Sequence, residues 1–196
     1  MSRLALSVMA LLIAATAAQA HTGVGDAIGF VHGLTHPISG IDHVLAMVAV
    51  GLFAAHLGGR ALWLVPLAFV AMMAVGGAFG MAGANLPFVE IGLGLSVVVF
   101  GVAVATGFHL PTAGAMALVG FFAIFHGHAH GAEMPEFASG LEYGLGFVLA
   151  TATLHASGIS LGLLIGRLSD AYGDRILQVT GSAMALAGIG ILTGYM

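Results

Sequence analysis

Residues 62–83 read LWLVPLAFVAMMAVGGAFGMAG, an apolar run without a charged side chain. A helix needs about 20 apolar residues to cross the hydrocarbon core of a bilayer, so this run is long enough to span it. The rest of the chain agrees, because 60% of its 196 residues are hydrophobic and only 6% are charged. Soluble domains carry about 25% charged residues. The sequence therefore predicts a membrane protein and excludes an ordinary soluble enzyme.

Charge and cysteine content narrow the function classes further. Four basic residues against eight acidic ones give a formal net charge of −4, without the basic patch that nucleic-acid binding requires. The chain has no cysteine, which excludes disulfides, thiolate metal sites and iron–sulfur clusters. Histidine, with ten residues, is nearly as abundant as all charged residues together. This histidine content is the feature that calls for a functional explanation.

Six apolar segments predict an all-α fold, a polytopic membrane bundle of about six transmembrane helices. The segments are Ser39–Leu57, Leu62–Gly83, Leu86–Gly107, Thr112–Phe125, Phe137–Ile165 and Ile176–Met196. The fourth is short unless it continues into the histidine-rich stretch after it. Around the start of the first segment, Pro37 and Gly40 are expected to break the helical hydrogen-bond ladder. We therefore expect an interrupted, partly re-entrant N-terminal segment there.

The first 20 residues match a cleavable signal peptide, with Arg3 as the positive region, an apolar core and Ala18-Gln19-Ala20 as a small-x-small cleavage pattern. An uncleaved first transmembrane helix is the alternative. Cleavage would leave residues 21–196 as a single transmembrane transport domain. His21 would then be the N-terminal residue, and its α-amine and imidazole together could chelate a metal ion.

The arginines predict the orientation of the chain. Arg3, Arg60, Arg167 and Arg175 all fall on one side of the predicted topology, which the positive-inside rule makes the cytoplasmic side. The mature N-terminus is then periplasmic, and the protein is expected in the bacterial inner membrane. Most histidines lie on the outer side in this arrangement.

Residues 30–43, FVHGLTHPISGIDH, form the first candidate metal-binding stretch, and we select His32, His36, Asp42 and His43 from it. Neutral imidazole and carboxylate hold nickel, cobalt or zinc without thiolate. Asp42 has a second interpretation, because Ser39-x-x-Asp42 also fits a capping box at the start of the next helix.

Residues 125–133, FHGHAHGAE, form the second stretch. His126, His130 and Glu133 follow i, i+4, i+7 spacing and would share one helix face, with His128 directed elsewhere. Histidine-rich tracts are typical of metal binding, although a solvated loop that binds metal adventitiously is the alternative.

Other ionisable residues lie inside predicted spans. Glu90, near the outer end of the third span, is a candidate ligand because ionisable residues in a membrane are costly. Its alternative role is a carboxylate favoured at a helix start. His155 lies deep in the fifth span. It is either a relay ligand for the metal or a hydrogen-bonded core residue, and both interpretations remain open. His56 and His109 lie near the inner ends of predicted spans. They are either interfacial residues or part of an exit site for the metal.

The motifs His36-x5-Asp42-His43 and 125–133 make the chain resemble the HupE/UreJ family of bacterial nickel, or in some members cobalt, permeases. The resemblance covers essentially the whole chain. It implies an inner-membrane importer that is not an enzyme, with Ni²⁺ or Co²⁺ as substrate and no permanently bound cofactor. It also implies partners in hydrogenase or urease maturation. The residues to which it assigns roles are His36, Asp42, His43, His126, His130 and Glu133. His32, Glu90, His128 and His21 are candidates from the sequence alone.

Two other functions remain open on the sequence. One is a membrane metallohydrolase in which histidine and aspartate hold zinc. The other is a periplasmic-side metal-sensing accessory subunit that does not transport. The chain has no phosphate-binding loop of the Walker A type, so ATP hydrolysis is unsupported. For the importer, the expected partners are a divalent metal ion and the lipid bilayer.

Overall fold

A computed structural model of the chain describes residues 29–135, 139–167 and 170–194. Over these ranges the chain forms seven helices and no strand, which confirms the all-α prediction. The helices are α1 Gly29–Ser39, α2 Ile41–Leu57, α3 Ala61–Met81, α4 Val89–Thr106, α5 Thr112–Ala132, α6 Gly140–Ile165 and α7 Asp170–Leu192. The predicted signal peptide and His21 lie outside the described residues.

The number of spans matches the prediction of about six. The five helices α3 to α7 are each long and apolar enough to cross a membrane, α7 over Tyr172–Leu192. The pair α1 and α2 also passes the same test when taken together, although the two helices meet at an angle of 81°. This broken pair is the interrupted N-terminal segment that the sequence predicts.

The break between α1 and α2 lies at Gly40, which has extended backbone angles of φ −95° and ψ 119°. The prediction that Pro37 also breaks the helix is wrong, because α1 continues through Pro37 to Ser39. Pro37 lies in the last turn of α1, so its missing N–H removes a bond only near the helix end.

The fourth predicted span is longer than Thr112–Phe125, since α5 runs on to Ala132. The histidine-rich stretch is therefore the outer end of this helix. Its backbone groups are satisfied within the helix, as a membrane environment demands. As a result, the histidines of this stretch occupy fixed angular positions around one axis.

The surface of the bundle is apolar, as expected for a protein that faces lipid. Trp63, Leu67, Phe121 and Leu186 are all more than half exposed. Monomeric soluble proteins rarely expose apolar patches of this extent. Together with the apolar helices, this surface identifies a multi-pass membrane protein.

Small residues allow the helices to approach closely where α3 packs along α5. A Cβ at Gly127 would collide with the carbonyl oxygen of Met73, and a Cβ at Gly131 with that of Gly77. Glycine at such positions lets two backbones touch, the usual way helices pack in lipid. Each of these two glycines of α5 follows a histidine. The contact therefore fixes the rotation of α5 and turns His126 and His130 toward the interior.

Candidate metal site

Three side chains converge where the end of α1 meets the end of α5. His36, in the last turn of α1, places its Nε2 2.9 Å from Oε2 of Glu133, the residue that follows α5. His130 completes the group, and one ligand atom from each of the three residues lies within 4.8 Å of the other two. We call His36, His130 and Glu133 the outer site.

Exposure decreases steeply across the outer site. The Glu133 side chain is 59% exposed and that of His36 25%, whereas His130 is 4% exposed. A cation arriving from solvent thus meets a carboxylate first and a buried imidazole last. The carboxylate offsets part of the cost of bringing positive charge toward hydrocarbon.

Two further imidazoles continue inward from His130. The ring centroid of His43 lies 3.9 Å from that of His130 and 4.7 Å from that of His126. His36 is 4.8 Å from His130 on the outer side. We call these four residues, in the order His36, His130, His43 and His126, the imidazole column. It joins residues from both motifs that lie far apart in the sequence.

Asp42 orients His43 within the column. Its Oδ1 accepts a hydrogen bond from the His43 backbone N–H at 2.8 Å and lies 2.9 Å from His43 Nδ1. A carboxylate can only accept, so Nδ1 carries the proton and Nε2 keeps its lone pair for a metal. A carboxylate behind a ligating histidine is a common arrangement at metal sites, where it fixes the tautomer.

The alternative interpretation of Asp42, as part of a capping box, is wrong. The residue that precedes α2 is Gly40, and no side chain caps this helix. The Ser39 hydroxyl instead donates to the carbonyl of His36 at 2.6 Å, and Asp42 turns to His43. The helix therefore begins without Ser39, and the carboxylate is available to orient the imidazole.

Ser96 of α4 plays the corresponding part for His126, and sequence reasoning missed it. Its hydroxyl lies 2.6 Å from the Leu93 carbonyl and 2.7 Å from His126 Nε2. With its one hydrogen donated to the carbonyl, the hydroxyl accepts from Nε2–H. The lone pair of His126 is then on Nδ1. The only sequence signal was a polar residue inside an apolar span.

The column leaves nitrogen atoms buried without hydrogen bonds. Within the described part of the chain, no partner is found for His43 Nε2, His126 Nδ1 or either ring nitrogen of His130. An unpaired buried polar group costs about 1–3 kcal/mol, so native proteins keep few of them. A neutral imidazole has one lone pair and one N–H, so a metal ion bound here would use one nitrogen from each of the three rings.

The donor set fits a divalent transition metal. Imidazole nitrogen and carboxylate oxygen suit nickel, cobalt and zinc. A cavity of about 210 Å³ reaches His130 from beside Tyr143 and Phe147. The lining of this cavity is otherwise mainly glycine and apolar side chains, and His130 is its one residue from the imidazole column.

Comparison with known proteins shows the family of the chain. Residues 9–191 match the family model described as HupE / UreJ protein. The chain belongs to the HupE/UreJ family. It is 46% identical over 186 residues to "Protein HupE" of Rhizobium leguminosarum bv. viciae, and the match covers 95% of each chain. No solved structure matches it.

Three candidate ligands of this HupE/UreJ chain are not members of the imidazole column. His32 stacks on His36 at a centroid distance of 5.5 Å, one turn farther from the outer site. His128 donates from Nε2 to the Ala84 carbonyl at 2.6 Å, so it ties α5 to the α3–α4 loop as its different helix face predicts. Glu90 is exposed in the first turn of α4, where the structure gives it the position of a helix-start carboxylate.

The remaining histidines lie toward the other end of the bundle. The rings of His56 and His109 meet at 5.1 Å near the α2–α3 and α4–α5 turns. His155 is buried in α6, with its ring 5.1 Å from that of Phe69. Neither group contacts the outer site directly.

Proposed function

We propose that this protein is an inner-membrane permease that imports Ni²⁺ from the periplasm to the cytoplasm. The HupE/UreJ family is a family of nickel and cobalt permeases, which supports the transport class. The observation that carries the proposal is the imidazole column, with its unpartnered nitrogens leading from an exposed carboxylate into the bundle.

The column suits an ion that must be captured and then released. Glu133 and His36 replace part of the water shell at the mouth, and His130 and His43 take the ion into the interior. Asp42 and Ser96 hold the inner imidazoles with their lone pairs available. A pathway of several weak sites in series lets an ion both enter and leave.

The basic residues support the inward direction. Arg60 lies in the α2–α3 turn and Arg167 just after α6, at the ends of helices opposite to the outer site. The positive-inside rule makes that end cytoplasmic, and the outer site then faces the periplasm. An inside-negative potential favours entry of each charge by about 2.3 kcal/mol per 100 mV, so a divalent ion gains twice as much.

Nickel is the proposed cargo because the family and the donor set both favour nickel and cobalt. Imidazole and carboxylate ligands without thiolate suit nickel and cobalt. In this proposal the metal is substrate rather than resident cofactor, and the chain is a carrier rather than an enzyme. The imported metal would pass to hydrogenase or urease maturation proteins.

The test is uptake of radiolabelled nickel into proteoliposomes that contain the purified chain, with cobalt and zinc as competitors. We expect saturable uptake with the wild type and none with Asp42→Ala or His43→Ala, provided that both variants insert and elute as the wild type does. A metallohydrolase or a sensor would bind metal without flux. Binding without flux in the wild type would therefore refute the proposal.

A further inference from the structure

His155 is a buried imidazole that neither motif explains. It lies in α6 with 1% of its surface exposed, and within the described residues neither of its ring nitrogens has a hydrogen-bond partner. Leaving a buried polar group unpaired costs about 1–3 kcal/mol. A histidine with a purely packing role would normally satisfy at least one nitrogen. Among the buried histidines of the described residues, His155 shares this lack of any partner only with His130 of the imidazole column.

The position of His155 continues the column inward. The rings of His130 and Phe147 lie 4.2 Å apart and mark one level of α5 and α6. With a helical rise of about 1.5 Å per residue, His126 lies about 6 Å inward of that level and His155 about 12 Å. The ring of Phe69 neighbours both imidazoles, with its centroid 5.6 Å from that of His126 and 5.1 Å from that of His155. Phe69 itself is fully buried. One phenyl ring thus contacts both the column and the next imidazole.

Other donors lie near the same level. Thr151 precedes His155 by one helical turn, so both side chains are on one face of α6. Thr151 is fully buried, and its hydroxyl lies 3.6 Å from Sδ of Met73, which is also buried. A hydroxyl and a thioether are weak metal ligands, which suits an ion that stops only briefly.

Backbone packing fixes the height of His155. A Cβ at Gly51 of α2 would collide with the carbonyl oxygen of His155, and a Cβ at Gly158 with that of Val48. The two helices therefore touch at this level, so the imidazole can move by side-chain rotation but not by sliding of α6. An imidazole held at a fixed height beside a phenyl ring has the geometry of a binding position behind a gate.

We propose that His155 is a second metal-binding residue on the transport path, inward of the imidazole column, and that the Phe69 ring is the gate between them. The ligand is the divalent cation carried by the protein, so this inference rests on the proposed function. Rotation of Phe69 lets an ion leave His126 and reach His155. When the ring returns, it separates the two positions with an apolar side chain.

The test combines nickel binding to the detergent-solubilised chain with nickel uptake into proteoliposomes. His155→Ala should lower uptake at saturating nickel by about tenfold, equivalent to about 1.4 kcal/mol in the barrier, while binding at the outer site is unchanged. Ser157→Ala is the matched control, because Ser157 is exposed on the same helix. His130→Ala, in contrast, should lose binding as well as uptake.

His155→Cys separates a ligand from a packing residue. The chain has no native cysteine, so the variant carries a single thiol. Thiolate favours soft ions, and Cd²⁺ should then compete with nickel uptake about tenfold better than in the wild type. A residue that only packs would not change the order of competing metals.

Phe69→Ala tests the gate. It should raise the rate of nickel leakage along an imposed gradient severalfold, whereas Phe69→Leu, which keeps most of the bulk, should leave leakage low. Wild-type uptake in a folded His155→Ala variant, or an unchanged metal preference in His155→Cys, would overturn the inference while leaving the proposed function intact. Absence of flux in the wild type would refute both.

Discussion

Asp42→Asn removes one charge from the site and leaves its shape almost unchanged. The amide oxygen can still accept from the backbone N–H and from Nδ1 of His43, which now lie 2.8 and 2.9 Å from Asp42 Oδ1. What is lost is the charge that makes these bonds strong and raises the basicity of Nε2. Removing such a partner behind a ligating histidine costs about 10–100-fold in metal affinity.

This loss corresponds to about 1.4–2.7 kcal/mol of binding free energy. The stability of the fold should change by less than about 1 kcal/mol, because the carboxylate is partly exposed and its bonds survive in neutral form. The assay is calorimetric nickel binding to the solubilised protein, with the half-saturating nickel concentration for proteoliposome uptake measured in parallel. The nickel dissociation constant and the half-saturating nickel concentration should increase by the same factor.

Glu142→Gln is the matched control for Asp42→Asn. It removes a carboxylate that is exposed in the first turn of α6 and has no hydrogen bond within the described residues. Nickel affinity should stay at the wild-type value in this variant. Equal affinity in Asp42→Asn and the wild type would refute the role of Asp42 in orienting His43. Equal losses in both carboxylate variants would point to surface charge instead.

Further substitutions test the supporting contacts. Ser96→Ala frees Nε2 of His126, so nickel uptake measured in proteoliposomes should fall by about tenfold. Unchanged uptake would mean that the hydroxyl does not select the tautomer. Gly127→Ala places a Cβ against the carbonyl oxygen of Met73 and should lower the thermal midpoint, with overpacking costing about 1–3 kcal/mol. Gly144→Ala, where a Cβ meets nothing within 4 Å, should leave the midpoint unchanged, and equal midpoints for both glycine variants would contradict the packing argument.

The fold follows from the sequence because membrane spans depend on composition over long windows. The run at 62–83 predicts α3 almost to the residue, and the expected break at Gly40 is where α1 and α2 meet. Local details were harder to predict. Pro37 was expected to end a helix, but its place in the last turn of α1 costs too little to do so.

The candidate site was only partly predictable, because distance along the sequence does not say which side chains meet. The two motifs supply His36 and His130, but the contact between them depends on the 81° bend and the glycine packing of α5. Ser96 is visible in the sequence only as a polar residue in an apolar span, which does not show that it contacts His126. Glu90, which intramembrane position made a candidate, lies exposed at a helix start instead.

The central claim is that metal crosses the membrane along the imidazole column, and the histidines of α5 allow a direct test. His130 and His128 lie two residues apart and are both buried, but only His130 is in the column, since His128 is bonded to the Ala84 carbonyl. Radiolabelled nickel uptake should be measured in proteoliposomes with the wild type, His130→Ala and His128→Ala. We predict saturable uptake with the wild type and His128→Ala, and none with His130→Ala. Uptake by His130→Ala at the wild-type rate would contradict the account.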